Sequence, residues 1–181
     1  MSLGRAPRAL TVARVQAIDI TLDWRWVPVL GLSTWLLAQN VLPARFPNWE
    51  SGTTWLTALA AVLAGELALL LHEMAHAMLA RSRGVRVTQI IFHGFHARTI
   101  VEPAITLVRG EVLVALGGPC VNVVLAAAAE VVRVVLVTQG ALDVFLLMLA
   151  IGNAAAAALS LVPFGGSDGA RALSGLQRPR D

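Results

Sequence analysis

Three side chains capable of hydrolytic chemistry sit in one apolar run, Leu69 to Leu79, which reads LLLHEMAHAML. His72 and His76 are four residues apart, so on a helix both imidazoles lie on one face and can reach a single metal ion. Glu73 lies about a quarter-turn away, beside that ion. This is the arrangement a zinc hydrolase needs: two neutral imidazoles hold Zn²⁺, and a carboxylate close to the open position accepts a proton from the attacking water. An H-E-x-x-H also arises by chance in soluble helices, where solvated polar residues cost little. Here residues 56 to 71 carry one charge, Glu66, and a charge at the centre of a membrane helix costs about 2.5 to 3.5 kcal/mol on insertion scales. Polar residues retained in such a place usually have a function.

The rest of the chain has to position these groups, and its composition says in what medium. The 181 residues leave room for one domain, 57% of them hydrophobic and only 14% charged, against about 25% charged in soluble domains. This predicts a membrane α-helical protein, a polytopic bundle of about four transmembrane helices with a small membrane-associated β-sheet or hairpin. Its immediate partner is the lipid bilayer. All fourteen basic residues are arginine, and the net charge of +3 is too small and scattered for a nucleic-acid footprint. Cys120 is the single cysteine, which excludes an intramolecular disulfide; it is expected to pack as a small apolar residue. No long apolar stretch follows Arg5, Arg8 and Arg14 before Trp24, so no cleaved signal peptide is expected.

Residues 1–14 are expected to form a cytoplasmic tail, and the alternation over Val15 to Asp23 predicts a short strand. Spanning helices are expected over 24–42, ended by Pro43, then over 55–81, 112–137 and 142–162. The third is expected to be broken early by Gly117, Gly118 and Pro119. A β-hairpin is expected over 87–108, with strands at Val87 to Phe92 and Ala104 to Val108, and a glycine-rich Asp-Gly turn and tail over 163–181. Counting 1.5 Å per residue from His72 to Ala80 places the metal about 12 Å below the near membrane surface. Four spans put both termini on one side, with every arginine except Arg45 and Arg133, which makes that side cytoplasmic in an inner or plasma membrane. Glu130 and Arg133, three apart, are expected to pair near the opposite surface.

A catalytic zinc site usually has a third protein ligand. The candidates are Asp168, Glu66, His93 and His96; Asp168 is favoured because it follows the last helix on the same side, in a turn whose glycines allow a close approach. An Asp before Gly is also an ordinary turn signal. The intramembrane H-E-x-x-H, the G-P-x-x-N segment (Gly118, Pro119, Asn122) and the Asp-Gly after the last helix (Asp168, Gly169) together resemble the site-2 protease family of intramembrane zinc metalloproteases. The resemblance runs over roughly residues 15 to 175. It implies Zn²⁺ held by His72, His76 and Asp168, Glu73 as catalytic base, and a membrane-embedded sheet whose edge receives the substrate as an added strand. The implied substrate is a transmembrane protein cut within or near its span. With no residues left to build an appended PDZ or CBS domain, a single-domain form is expected.

Some positions depart from the family pattern. Ser160 stands where an asparagine is common, Gly166 where proline is usual, and Ala170 replaces the second glycine of Asp-Gly-Gly. Asn122 or Asn153 is then the polar side chain expected to orient substrate or stabilise the oxyanion. The alternative is a catalytically degenerate membrane protein that binds partner helices or metal without proteolysis. The intact Glu73 argues against it, because metal binding alone needs no carboxylate there.

Overall fold

The computed structural model describes residues 9–94, 96–102 and 111–177. The chain opens with β1 (Ala9–Val15) and β2 (Ile18–Asp23), an antiparallel hairpin. Residues 9–14 therefore belong to a strand, not to the expected tail. The link is two residues long, Gln16 and Ala17, both at positive φ (49° and 64°), as tight hairpin turns require. Neither residue type advertises such a turn.

The first span is α1 (Trp26–Leu36), a π-helical stretch at Leu37–Val41 and α2 (Leu42–Arg45). Pro43 does not stop it. A proline lacks the N–H for its own turn and clashes with the carbonyl four residues back; the widened turn just before Pro43 accommodates it, and the proline then sits in the first turn of α2. The second span is α3 (Ser51–Arg81), the third α4 (Glu111–Val135) and the fourth α5 (Gly140–Leu161). All four are long and apolar enough to cross a membrane, in keeping with an integral membrane protein. Contrary to the expected break, α4 is continuous through Gly117, Gly118 and Pro119. Near its far end Arg133 makes a two-pronged bond to Glu130, 2.8 Å on each prong, and a third at 3.2 Å to Asp143 at the start of α5. Cys120 is exposed on α4 rather than packed inside.

Between α3 and α4 run β3 (Arg86–Phe92) and β4 (Ala97–Glu102). The hairpin is shorter than expected: the return strand begins at Ala97, and the stretch expected to form it, 104–108, lies outside the described residues. β3 pairs in parallel with β2, so the two hairpins form one sheet of order β1-β2-β3-β4. A register shift between Val87 and Gln89 lets Val87 share a buried face with Ile90 and Phe92. That face and Ile18 and Ile20 of β2 pack on Ala77 and Ala80 of α3. Small residues on the helix allow the sheet to lie close to the half of α3 that carries the H-E-x-x-H. The C-terminal stretch expected as turn and tail holds a further helix, α6 (Asp168–Gln177).

Candidate metal centre

His72 and His76 lie on the buried side of α3, 7% and 6% exposed. Their Nε2 atoms are 3.1 Å apart. Asp168, first residue of α6, completes a triangle: its Oδ2 is 3.2 Å from Nε2 of His72 and its Oδ1 3.2 Å from Nε2 of His76. Ligand atoms about 2.0 to 2.1 Å from a tetrahedral zinc lie about 3.3 Å from one another, so the spacing fits a small tetrahedral ion. Among the described residues this is the one group of three or more such side chains placed to hold a metal.

Three neighbouring features favour that use. His76 donates from Nδ1 to the carbonyl of Val114, 2.6 Å away on α4, which fixes the tautomer and leaves Nε2 with a lone pair for a cation. At Gly118 a Cβ would run into Nε2 of both histidines; the missing side chain keeps open the space in front of the imidazoles. Burial alone would raise the Asp168 carboxyl, but hydrogen bonds and charge from His72 and His76 in their protonated form outweigh that and hold it well below the usual carboxylate range. Asp168 is thus held as a carboxylate beside the two imidazoles.

Asp168 is brought there by its local sequence. Gly165 and Gly166 turn the chain at positive φ, and Ser167 caps α6 by accepting the N–H of Ala170 at 3.2 Å. Ser167 also donates to the Val162 carbonyl at 2.6 Å, tying the turn to the end of α5. Gly169 abuts the backbone of Leu161, where no Cβ fits. Sequence reasoning found the glycines but missed Ser167, whose signal is a serine just ahead of a short amphipathic helix.

Glu73 faces the sheet. Thr99 of β4 donates its hydroxyl to Oε2 of Glu73 at 2.6 Å, a contact that no sequence motif announces. Among the described residues β4 is an edge strand, so a sheet edge borders Glu73. Asn122 and Asn153 are both 4% exposed and line a cavity between α1, α3, α4 and α5 together with Glu66. That cavity starts about one helical turn from the metal centre, since Leu69 precedes His72 by three residues and Asn122 follows Gly118 by four. Glu66 is not a metal ligand here; it accepts a bond from the Trp26 indole at 3.0 Å. Ser160 donates to the Ala157 carbonyl of its own helix, 3.0 Å away. His93 and His96 stack on each other at 5.2 Å, and Nδ1 of His93 lies 3.4 Å from Asp23 Oδ2. They stay outside the metal group. Asp23 in turn accepts the N–H of Arg25 at 3.0 Å; that bond first, and then the charges of Arg25 and His93, keep its carboxyl below the ordinary range in spite of burial.

No family model matches the chain. A Synechocystis protein named "Putative zinc metalloprotease sll0528" is 27% identical over 167 residues, which is 92% of this chain and 44% of that protein. The Mycobacterium tuberculosis protein named "Putative zinc metalloprotease Rip3" is 27% identical over 119 residues, 66% of this chain and 30% of its own. The chain thus spans less than half the length of these curated relatives. Among solved structures it is similar to the site-2 protease from Methanocaldococcus jannaschii, with a TM-score of 0.62 at 16% identity, covering 93% of this chain and 71% of that one. The chain has the site-2 protease fold, and the relatives and the fold support the resemblance to the site-2 protease family.

Proposed function

We propose that the chain is an intramembrane zinc endopeptidase that cuts a peptide bond within or near a transmembrane segment of another membrane protein. The observation that carries this reading is the meeting of His72, His76 and Asp168 within one bond-length triangle, 96 residues apart in sequence, beside Glu73 and a sheet edge. Zinc held there would supply a positive charge that acidifies water and polarises the scissile carbonyl. Glu73 takes the proton of the attacking water and passes it to the leaving amine. Thr99 holds one carboxylate oxygen, Oε2, which leaves the other free for that transfer. The outer edge of β4 pairs with the substrate as an added strand, because a helix hides its carbonyls in hydrogen bonds and must be drawn out straight before attack. Spans that unwind easily, those with Gly, Pro or Asn, are cut first.

The role given to Thr99 has its own test. Thr99→Val should keep its zinc and bind substrate normally, yet lower kcat about tenfold, the worth of one hydrogen bond, with Thr99→Ser restoring it. An unchanged kcat would make the contact incidental. Orientation is tested separately, by the arginine asymmetry: with Asn48→Cys in a Cys120→Ala background, an impermeant thiol reagent should label the protein from the non-cytoplasmic side. Labelling of residue 48 from the cytoplasm alone would reverse the topology.

A further inference from the structure

The cavity on the far side of the metal centre is built for a ligand that donates hydrogen bonds. It measures about 370 Å³ and is walled mainly by apolar side chains, with Ser33, Glu66, Asn122 and Asn153 as polar exceptions. Asn153 spends its amide N–H on the Leu149 carbonyl of its own helix, 2.9 Å away. Its Oδ1 is buried and has no partner among the described residues. A buried acceptor left unpaired is costly, and in native structures such a group calls for a functional or structural reason. Asn122 makes no hydrogen bond to any described residue, so its carboxamide also faces the cavity with both donor and acceptor unused. Glu66 has one oxygen held by Trp26 and presents the other.

Resting on the protease reading, we infer that this cavity is a subsite for a carboxamide side chain, asparagine or glutamine, on the membrane-interior side of the scissile bond. The spacing sets which residue enters it. One helical turn of α3 or α4 is about 5.4 Å, and an extended strand advances about 3.3 Å per residue, so the occupant is the second residue beyond the cut. The chemistry sets its type. Asn153 Oδ1 requires a donor, which an ionised aspartate or glutamate does not have. Lysine and arginine are the costliest residues at the centre of a span. Serine and threonine already satisfy their hydroxyls on the carbonyl one turn back in the substrate's own helix, and so gain little by moving. A carboxamide has two donors and an acceptor that a lipid-embedded helix cannot satisfy, and Asn153 and Asn122 together offer the complement.

The test uses synthetic transmembrane peptides whose cut site has been mapped by mass spectrometry. Asparagine is compared with its near-isostere leucine at each of the first three positions on the membrane-interior side. At the second, wild-type protein should cut the asparagine peptide with a kcat/KM about tenfold higher, and this ratio should fall to near one in Asn153→Leu and in Gly152→Leu. Gly152 lines the cavity and a Cβ there meets nothing within 4 Å, so the position accepts a side chain and the second variant puts leucine's bulk at the cavity wall. The ratio is the readout, whatever the absolute rate, and it separates the subsite from any general benefit of asparagine in unwinding the peptide. Should either variant turn over too slowly, the same ratio is read as Kd with Glu73→Gln added. A wild-type ratio near one at all three positions, or a tenfold ratio that survives Asn153→Leu, overturns the subsite alone. Wild-type protein that cuts no peptide overturns the protease reading and the subsite with it.

Discussion

Glu73→Gln is expected to retain zinc and lose between about 10² and 10⁴ in kcat, the range that a general base contributes, or roughly 3 to 5 kcal/mol of barrier. Glutamine keeps the shape of the side chain and can still accept the bond from Thr99, but it cannot take the proton of the attacking water. The loss should fall on kcat and not on substrate binding, because the β4 edge and the cavity hold the substrate and this carboxylate does not. A purely structural Glu73 predicts something else: removing a charge from a half-buried position would leave turnover intact or even firm up the bundle. Zinc content, peptide capture and cleavage measured on one preparation separate the two.

Gly118→Ala should abolish metal binding while leaving the four helices in place. A methyl group at that position would strike Nε2 of both His72 and His76 and come within 2.6 Å of His72 Cδ2. The imidazoles cannot swing away freely, since His76 is anchored on Val114 and both rings are buried. Zinc affinity should drop by more than about 100-fold, beyond what loss of a supporting contact usually costs. Gly31→Ala is the control, for a Cβ there meets nothing within 4 Å and alanine favours the helix by about 1 kcal/mol. Full zinc occupancy in Gly118→Ala would mean that the ion does not sit between the histidines and Gly118.

Much of this centre was legible in the sequence because its chemistry is carried by residue types that have no other reason to be inside a bilayer. His72, Glu73 and His76 declare a helix face by their spacing, and Asp168 follows the last span in a glycine turn. The four spans declare themselves by length and hydropathy, since each helix has to satisfy its own backbone in lipid. What stayed hidden depends on contacts between distant segments. β1 read as a basic tail because its turn, Gln16 and Ala17, takes positive φ without glycine or asparagine. Pro43 read as a stop and Pro119 as part of an early break, yet a π-helical turn absorbs the first and the second lies within a continuous helix. No periodicity relates Thr99 to Glu73 across 26 residues, and nothing local pairs β2 with β3 in parallel across the first two spans. The asparagines were visible, but their shared cavity was not, because it exists only once α4 and α5 pack against α3.

The most direct test of the central claim is cleavage of a single-span peptide in detergent or liposomes by the purified, zinc-loaded chain, with the cut bond located by mass spectrometry. A cut inside the hydrophobic span, abolished by chelation, restored by zinc and absent in Asp168→Ala, is the predicted result. An intact peptide under zinc loading, with His72, His76 and Asp168 confirmed as holding the ion, would contradict it and leave a metal-binding membrane protein without protease activity.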